Sequence, residues 1–357
     1  MFAPANQTHF SLSIEDASSD LQVLEFTGRE TLNQPFHFEL ELVSDNPALE
    51  LESLLHKAAY LAIGQDGAGI HGQVYRVSQG ESGKRLTRYQ VSLVPRLAYL
   101  AHRFNQRIFQ QLSVPQIIGK VLEEHGILAD AYRFQLGPTV YPKRDYCTQY
   151  DESDLHFIQR LCEEEGIHYH FEHSAQQHLL VFGDDQTCFP KLASLAYQQD
   201  SGLVADVPVV RRFGQRLETR TSRTTRRDYH FEKPRLDLES AARSDVKPDL
   251  EDYDYPGRFT DRERGKHLSQ RALERHRSDF VLCEGRSDQP SLRSGHFLSL
   301  TGHPRADWND LWLLTEIHHE GKQPQVLEES ISSDTTELKD DFHQGYRNRF
   351  AATPWNV

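Results

Sequence analysis

The chain has 357 residues and a mass of 41.2 kDa, and this length predicts more than one compact unit because single cores usually stop growing earlier. Its 40 lysines and arginines against 53 aspartates and glutamates give a formal net charge of -13, which argues against non-specific nucleic-acid binding over the whole surface. No basic segment with an apolar run opens the chain, and no stretch reaches the roughly 18 apolar residues of a membrane span, so neither conventional export nor stable membrane insertion is expected.

The first hundred residues consist of short runs with alternating apolar and polar positions, a pattern typical of β-strands. Turn residues such as Gly28 and Gly80 separate the runs. Several short strands at this spacing predict a small barrel or sandwich. One short helix is expected in ELESLLHKA, where Leu51, Leu54 and Leu55 share a face.

Helical patterns follow after residue 100. Ser113 is the expected N-cap of one helix, with Pro115 in its first turn. A second helix is predicted in DESDLHFIQRLCEEEG, capped by Ser153 and ended by Gly166. The runs GIHYHFEH and HLLVFGD then predict a hairpin. Residues 101–187 are therefore predicted to form an α+β insertion between β-rich segments.

Two neighbouring segments carry opposite charges. Residues 211–235 contain nine basic residues against three acidic ones, and residues 237–254 contain seven acidic residues against two basic ones. This asymmetry favours self-complementary subunit contacts, although a pair of solvated surfaces gives the same pattern. The candidate interface residues are Arg220, Arg223, Arg226, Arg227, Asp249, Glu251 and Asp252.

The last third contains one long helix and then strands. Thr260 and Glu263 stand at capping-box spacing at the start of TDRERGKHLSQRALERHRSD. The runs FVLCEGRSD, GHFLSLTG and LWLLTEIHHEG are typical of strands, with HPRADWND as a hairpin connection. The stretch from about 330 to 350 is polar, and the ending TPWNV suggests a truncation.

The histidines of HYHFEH offer an enzymatic alternative. His168 and His170 project from the same face of a strand, as the metal ligands of some metallohydrolases do. Because Ile167, Tyr169 and Phe171 supply the apolar face, these histidines are expected to face solvent. We therefore predict no metal, no cofactor and no catalytic residue, with a metallohydrolase that uses His168 and His170 kept as an alternative.

Other chemical signatures are missing from the sequence. It contains no GxSxG, GxGxxG or GxxxxGK[ST] pattern. The four cysteines form no CxxC pair, which fits a reducing cytoplasm, and Cys162 is expected in a core because it lies on the apolar stripe of its helix. The run Glu163 to Glu165 ends the same helix and is expected to be solvated, although its unfavourable position in the helix dipole hints at a nearby partner.

Four separated motifs resemble one family. The segment YDESDLHFIQRLCEEEGIHYHFEH resembles the most recognisable motif of the VgrG spike proteins of type VI secretion. The segments VPRLAYLAHRFNQRIFQQLSVPQII, DYDYPGRF and SGHFLSLTGHP are similar to the family as well, in family order. The resemblance covers essentially the whole chain, and it is specific because all four motifs must occur together.

This resemblance implies a mainly β fold with an α+β insertion, similar to the hub of a contractile phage baseplate. Three copies would surround a threefold axis, and two barrel-like domains from each copy would present a near-sixfold platform to the hexameric Hcp tube. The implied division is a first β-barrel at 1–100 completed by 188–232, an inserted domain at 101–187, a second β-barrel at 233–353, and the start of a link at 354–357.

The resemblance also implies partners and a location. The partners are two further copies of the chain, the Hcp tube protein, effectors or their adaptor chaperones, and baseplate components, without nucleic acid. Assembly is expected in the bacterial cytoplasm, followed by secretion or injection without a signal peptide. The OB-fold and β-helix needle of the family are expected to be missing from this chain. The alternatives are a phage tail hub and a monomeric β module that binds carbohydrate or nucleic acid.

Overall fold

The first strands bury alternate residues, as strands with one covered face do. In the third strand Phe38, Leu40 and Leu42 are all buried, and the predicted helix near Leu51 is confirmed. The computed structural model describes residues 10–17, 20–64, 67–199, 207–327 and 342–356. Its first elements are β1 (Phe10–Ile14), β2 (Gln22–Thr31), β3 (His37–Ser44), α1 (Leu51–Leu54), β4 (Ala58–Ile63), β5 (Gly69–Ser82) and β6 (Thr87–Val94).

The insertion, which we define as residues 104–183, mixes helices with short strands. Its helix ends are those that the sequence predicts: Ser113 is the N-cap of the first helix, and the Ser153 hydroxyl accepts a hydrogen bond from the His156 amide at 3.2 Å. Gly166 ends the second helix at a φ of 72°, a left-handed conformation that favours glycine. The elements are β7 (Phe104–Phe109), α2 (Val114–Glu124), β8 (Tyr132–Gln135), β9 (Cys147–Ser153), α3 (Asp154–Glu165), β10 (His168–His173) and β11 (His178–Gly183).

The remaining elements contain the one long helix. It begins after Asp261, whose carboxylate accepts a hydrogen bond from the Arg264 amide at 2.8 Å, so the cap predicted at Thr260 is one residue too early. The elements are β12 (Leu195–Ala196), β13 (Val210–Leu217), β14 (Arg223–Asp228), β15 (Leu238–Arg243), β16 (Glu251–Asp254), α4 (Arg262–Ser278), β17 (Val281–Ser287), β18 (Phe297–Thr301), β19 (Leu311–Lys322) and β20 (Gly345–Pro354). Much of the polar stretch predicted at about 330–350 lies outside the described residues.

One large sheet of twelve strands connects the two ends of the chain. Its order is β1-β4-β5-β6-β3-β2-β19-β20-β17-β13, with β18 paired to β19 and β12 paired to β18. Strands β2 and β19 join its halves in antiparallel register, with Phe26 opposite Gly321. Strand β13 lies in the segment that the sequence assigns to the first barrel, and it pairs with β17. The division into two barrels stays a prediction.

Two main hydrophobic cores fill the fold. The larger core runs from β1 to β6 into the insertion without a break, and Cys162 lies in it as expected. Its two parts meet at Phe36 and Phe171, whose rings pack edge to face with centroids 5.1 Å apart. The second core lies under the C-terminal strands, where Phe213 packs against Trp312 at 5.0 Å.

Candidate functional site

The segments of opposite charge fold against each other in one small sheet, which we call the charged sheet (β14, β15 and β16). Strand β14 lies between antiparallel β15 and parallel β16. Helix α4 covers one of its faces, and the Thr224 hydroxyl there donates to the Ser269 carbonyl at 2.7 Å. Parallel pairing of β14 with β16 brings basic residues beside acidic ones within the same chain.

Three of the predicted interface residues form ion pairs at one end of the charged sheet. The Arg223 Nη2 atom lies 3.2 Å from Glu251 Oε2, and its Nε atom lies 3.6 Å from Asp249 Oδ1. Asp249 also contacts Arg243 at 2.8 Å. The Thr225 hydroxyl donates to Glu251 Oε1 at 2.6 Å. Intrachain contacts therefore satisfy much of the charge at this end.

The side chains of Arg226 and Asp252 point toward α4. Arg226 Nη1 contacts Asp254 Oδ2 at 3.0 Å, and Asp252 Oδ2 contacts His276 Nε2 of α4 at 2.9 Å. These two of the seven predicted interface residues therefore lie on the face that α4 covers, and not on the opposite face. Arg220 precedes β14, and its Nη1 atom lies 2.6 Å from Glu218 Oε1.

The outer face of the charged sheet, opposite α4, carries exposed tyrosines beside Arg227. Tyr229, Tyr253 and Tyr255 are 59%, 54% and 59% exposed. Within the described part of the chain, the Arg227 side chain has no ion-pair partner. Tyrosine and arginine are enriched at protein interfaces. Sequence reasoning missed these tyrosines, although Tyr253 and Tyr255 stand among the acidic residues of the segment that it singled out.

The glutamates at the end of α3 join the insertion to α4. The expectation of a solvated run holds for Glu163, whose side chain is 65% exposed, but not for Glu165. Glu165 is only 1% exposed. It forms ion pairs with Arg144, at 2.7 Å, and with Arg264 of α4. Glu163 contacts Arg275 of α4 at 3.0 Å. The partner that the helix dipole hinted at is therefore another helix of the same chain.

The expectation that His168 and His170 face solvent is wrong, because His170 is buried and His168 is half-buried. The His170 side chain has no exposed surface, and the His168 ring stacks on Phe189 with centroids 4.3 Å apart. Burial lowers the pKa of His168 to about 4. The hairpin is covered on both faces, because Tyr169 contacts Gln159 of α3 at 3.0 Å on one side while His170 packs near His296 on the other.

The metallohydrolase alternative requires a group of side chains that could bind a metal ion. Across residues 10–17, 20–64, 67–199, 207–327 and 342–356, no three histidine, cysteine, aspartate or glutamate side chains are grouped so that they could hold a metal ion. All four cysteines are free thiols. In the same part of the chain, every helix is too short or too polar to span a bilayer.

A buried charge cluster lies where the halves of the large sheet meet. Glu30 of β2 is 3% exposed, and its Oε1 atom lies 3.1 Å from His319 Nε2 and 3.7 Å from Arg293 Nε. Burial alone would raise the pKa of Glu30, but Arg293 and His319 lower it to about 2. His318 points the other way, to Glu316 at 2.6 Å, as alternation along a strand requires.

Comparison with known proteins gives a family match across most of the chain. The family model of the phage tail baseplate hub (GPD) matches residues 29–325. Two type VI secretion system spike proteins of Pseudomonas aeruginosa match all of this chain: VgrG4b with 68% identity over 362 residues, and VgrG5 with 66% over 361. The chain spans less than half of either relative, 45% and 46% of their lengths.

A solved structure shows the same fold. It is an Escherichia coli component of the type VI secretion system, described as similar to the T4 bacteriophage tail proteins gp27 and gp5. Its TM-score to this chain is 0.73 at 22% identity, over 96% of this chain and 76% of that one. The mainly β architecture with an α+β insertion is thereby confirmed.

Proposed function

Because the chain belongs to the phage tail baseplate hub family, among the VgrG spike proteins of type VI secretion, we propose that it is the structural hub of a secretion spike. Three copies form a ring, and the ring seats the hexameric Hcp tube. The main support is the match of spike proteins to 100% of the chain. The proposed role of the hub is to adapt the threefold symmetry of the spike to the near-sixfold symmetry of the tube. We propose no catalytic step, metal or cofactor.

The architecture suits a part that transmits force. A hub must pass the push of a contracting sheath to the spike without internal slippage. The β2–β19 ladder joins the halves of the large sheet from Glu316 opposite Thr31 to Lys322 opposite Glu25. Sliding this ladder by one residue would turn its buried side chains to the other face. The Glu30 carboxylate adds a polar contact that only one register satisfies.

The outer face of the charged sheet is the proposed subunit contact. Arg227 with Tyr229, Tyr253 and Tyr255 supplies the arginine and aromatic side chains that dominate interface energies. Obligate interfaces bury more than about 2,000 Å² in total, so this face is one part of a wider contact. The seven residues predicted from the sequence, Arg220, Arg223, Arg226, Arg227, Asp249, Glu251 and Asp252, stay a prediction. Of these, Arg226 and Asp252 point toward α4 and therefore lie outside the proposed outer contact.

Partners and route follow from the same proposal. Effectors or their adaptor chaperones travel with the spike, and baseplate components hold it before firing. Assembly takes place in the bacterial cytoplasm, and sheath contraction then delivers the spike out of the cell. A phage tail hub belongs to the same structural class, and no observation favours it over the secretion spike.

Co-assembly with the tube protein tests the proposal. We expect the purified chain, mixed with hexameric tube protein at micromolar concentration, to sediment as a complex of three hub chains and six tube chains. Arg227→Glu combined with Tyr253→Asp should reduce the yield of this complex, whereas Lys143→Glu, an exposed reversal on the insertion, should not. A complex with a single hub chain per tube ring, or no complex, would contradict the proposal.

A further inference from the structure

Three histidines meet where the β10–β11 hairpin of the insertion packs on β5 of the large sheet. His71 of β5 and His178 of β11 are 6% and 7% exposed, and His173 lies at the end of β10. The Phe36 ring packs edge to face against two of them, with centroids 5.0 Å from His173 and 5.8 Å from His178. We call this group the histidine joint (His71, His173 and His178).

Hydrogen bonds assign the protons on these rings. The Arg96 amide donates to His178 Nε2 at 3.2 Å, so that nitrogen carries a lone pair. The proton of a neutral His178 is therefore on Nδ1, which lies 3.0 Å from His71 Nδ1 and donates to it. The His71 amide donates to His173 Nδ1 at 3.3 Å. Each ring uses one nitrogen as an acceptor.

For His71 and His178, only the neutral rings satisfy these hydrogen bonds. A protonated imidazole has two N–H donors and no acceptor. Protonation of His178 would point an Nε2–H at the Arg96 amide, and protonation of His71 would point its Nδ1–H at the Nδ1–H of His178. Either event replaces a hydrogen bond by two facing donors in a buried site, where an unsatisfied polar group is costly.

The surroundings of the joint also oppose protonation. Burial lowers the pKa of His173 to about 3 and lowers the pKa of His178 well below its usual value. Burial and then the charge of Arg96 lower the pKa of His71. The charged and titratable groups that face the joint from neighbouring elements are Arg96, Arg293, Glu15, Glu30 and His296.

The two carboxylates in this set do not offset the burial. Glu30 is engaged by Arg293 and His319 at 3.7 and 3.1 Å, and it is the carboxylate that acts on His173. Glu15 acts on His71 more weakly than burial and Arg96 do. The joint is therefore closed only while its rings are uncharged.

We propose that the histidine joint is an acid-labile lock, which holds the insertion on the large sheet at neutral pH and releases the β10–β11 hairpin from β5 in acidic surroundings. In the released state the rings gain water and can take up protons. Release also separates the packed rings of Phe36 and Phe171. The cost of losing this contact keeps the joint closed until protonation of the histidines favours the open state. Nothing in the hub proposal requires this lock, so the two stand or fall separately.

The sign of the effect follows from proton linkage. A histidine that is neutral in the closed state and free in the open state binds its proton only after opening. Below about pH 6.5 each such histidine raises the opening constant by up to about tenfold per pH unit. The closed joint is thus fully stable above pH 6.5 and weakens as the pH falls from there.

Hydrogen exchange on the full chain tests the lock. Amide exchange would be followed between pH 7.5 and 5, corrected for intrinsic rates, in β10 and β11 and, as an internal reference, in β17 and β20. We expect the opening constant of β10 and β11 to rise at least tenfold per pH unit below pH 6.5, and that of β17 and β20 to change much less.

Two glutamine variants test whether His178 and His71 take up the protons that open the joint. His178→Gln supplies one donor and one acceptor but does not titrate, and His71→Gln does the same on the opposite strand. In each variant, the rise of the β10 and β11 opening constant with falling pH should be smaller by a factor of up to tenfold per pH unit. His156→Gln, whose side chain is 66% exposed on α3, should keep the original slope. Equal slopes in all three variants and the original chain would overturn the lock.

Two further results would also overturn it. One is parallel opening of β17 and β20 with the hairpin, because that would be global unfolding. The other is a slope below tenfold per pH unit in the unmodified chain, which decides the question even where neither glutamine variant folds.

Discussion

Two polar regions of this molecule differ in how much freedom their side chains keep. In the histidine joint and in the neighbouring cluster around Glu30, the side chains of His71, Glu30 and Arg293 are buried. In the charged sheet, ion pairs such as Arg223 with Glu251 remain about one third exposed. Buried groups are costly to leave unpaired, whereas exposed pairs contribute little. The buried groups therefore specify the fold, and the exposed charged sheet is free to specify partners.

Removal of an aromatic ring at the joint should have the largest effect. Phe36 is 1% exposed and contacts Phe171, His173 and His178. Phe36→Ala leaves a cavity, so we expect a loss of about 3–5 kcal/mol in the free energy of unfolding by urea denaturation. Phe231→Ala, near the charged sheet and 79% exposed, should change it by less than about 0.5 kcal/mol. Equal losses would remove the contrast between the regions.

Neutralisation of Glu30 should have a comparable or slightly smaller effect. Glu30→Gln leaves Arg293, which is 7% exposed, with an uncompensated buried charge. A loss of about 3 kcal/mol is expected from such a broken pair. The matched control is Glu316→Gln on β19, whose pair with Arg29 is partly exposed and should contribute at most about 1 kcal/mol. The midpoints of urea unfolding at pH 7 give both values, and a control loss as large as that of Glu30→Gln would contradict the assignment.

Acidification should weaken the histidine joint and the Glu30 cluster in different pH windows. The histidines are neutral when folded, so their stabilisation is lost as the pH falls from about 6.5, at about 1.4 kcal/mol per pH unit for each histidine. Glu30 has a pKa lowered to about 2 from 4.5, so its stabilisation is complete above pH 4.5 and is lost between 4.5 and 2. Urea unfolding at a series of pH values should show no loss from Glu30 above pH 4.5. A difference between the original chain and Glu30→Gln that already shrinks at pH 6 would contradict this assignment, because it lies above the pH window of the Glu30 carboxylate.

Disruption of the charged sheet should have the smallest effect on stability. Arg223→Ala removes the contacts to Glu251 and Asp249, which are partly exposed, and should lower the unfolding free energy by at most about 1 kcal/mol. The effect should shrink further in 1 M salt, because the Debye length falls to about 3 Å. Thermal unfolding at low and high salt measures both. A loss above 2 kcal/mol that does not depend on salt would contradict the view that the ion pairs of the charged sheet contribute little to stability.

The sequence predicted what local chemistry decides. The caps Ser113 and Ser153 and the ending at Gly166 are confirmed, because capping depends on a few adjacent residues. The four motifs identified the family, and with it the mainly β fold with an insertion. The seven proposed interface residues stay untested, since one chain shows which charges pair within it and not which meet another copy.

The sequence could not predict what lies across from a residue in space. The period of two in β10 separates His170 from Tyr169 correctly but does not show that both faces are covered. Glu165 looked solvated for the same reason, because Arg144 and Arg264 reach it from elements 21 and 99 residues away. Tyr253 and Tyr255 stand next to the acidic residues in the sequence and were detectable, yet interface reasoning that relied on charge alone overlooked them.

A threefold hub has three times the mass of one chain, so the mass in solution tests the proposed assembly. Light scattering over a range of micromolar concentrations should give a mass near three times 41.2 kDa, and Arg227→Glu with Tyr253→Asp should lower it. A mass of 41.2 kDa at every concentration would contradict the account.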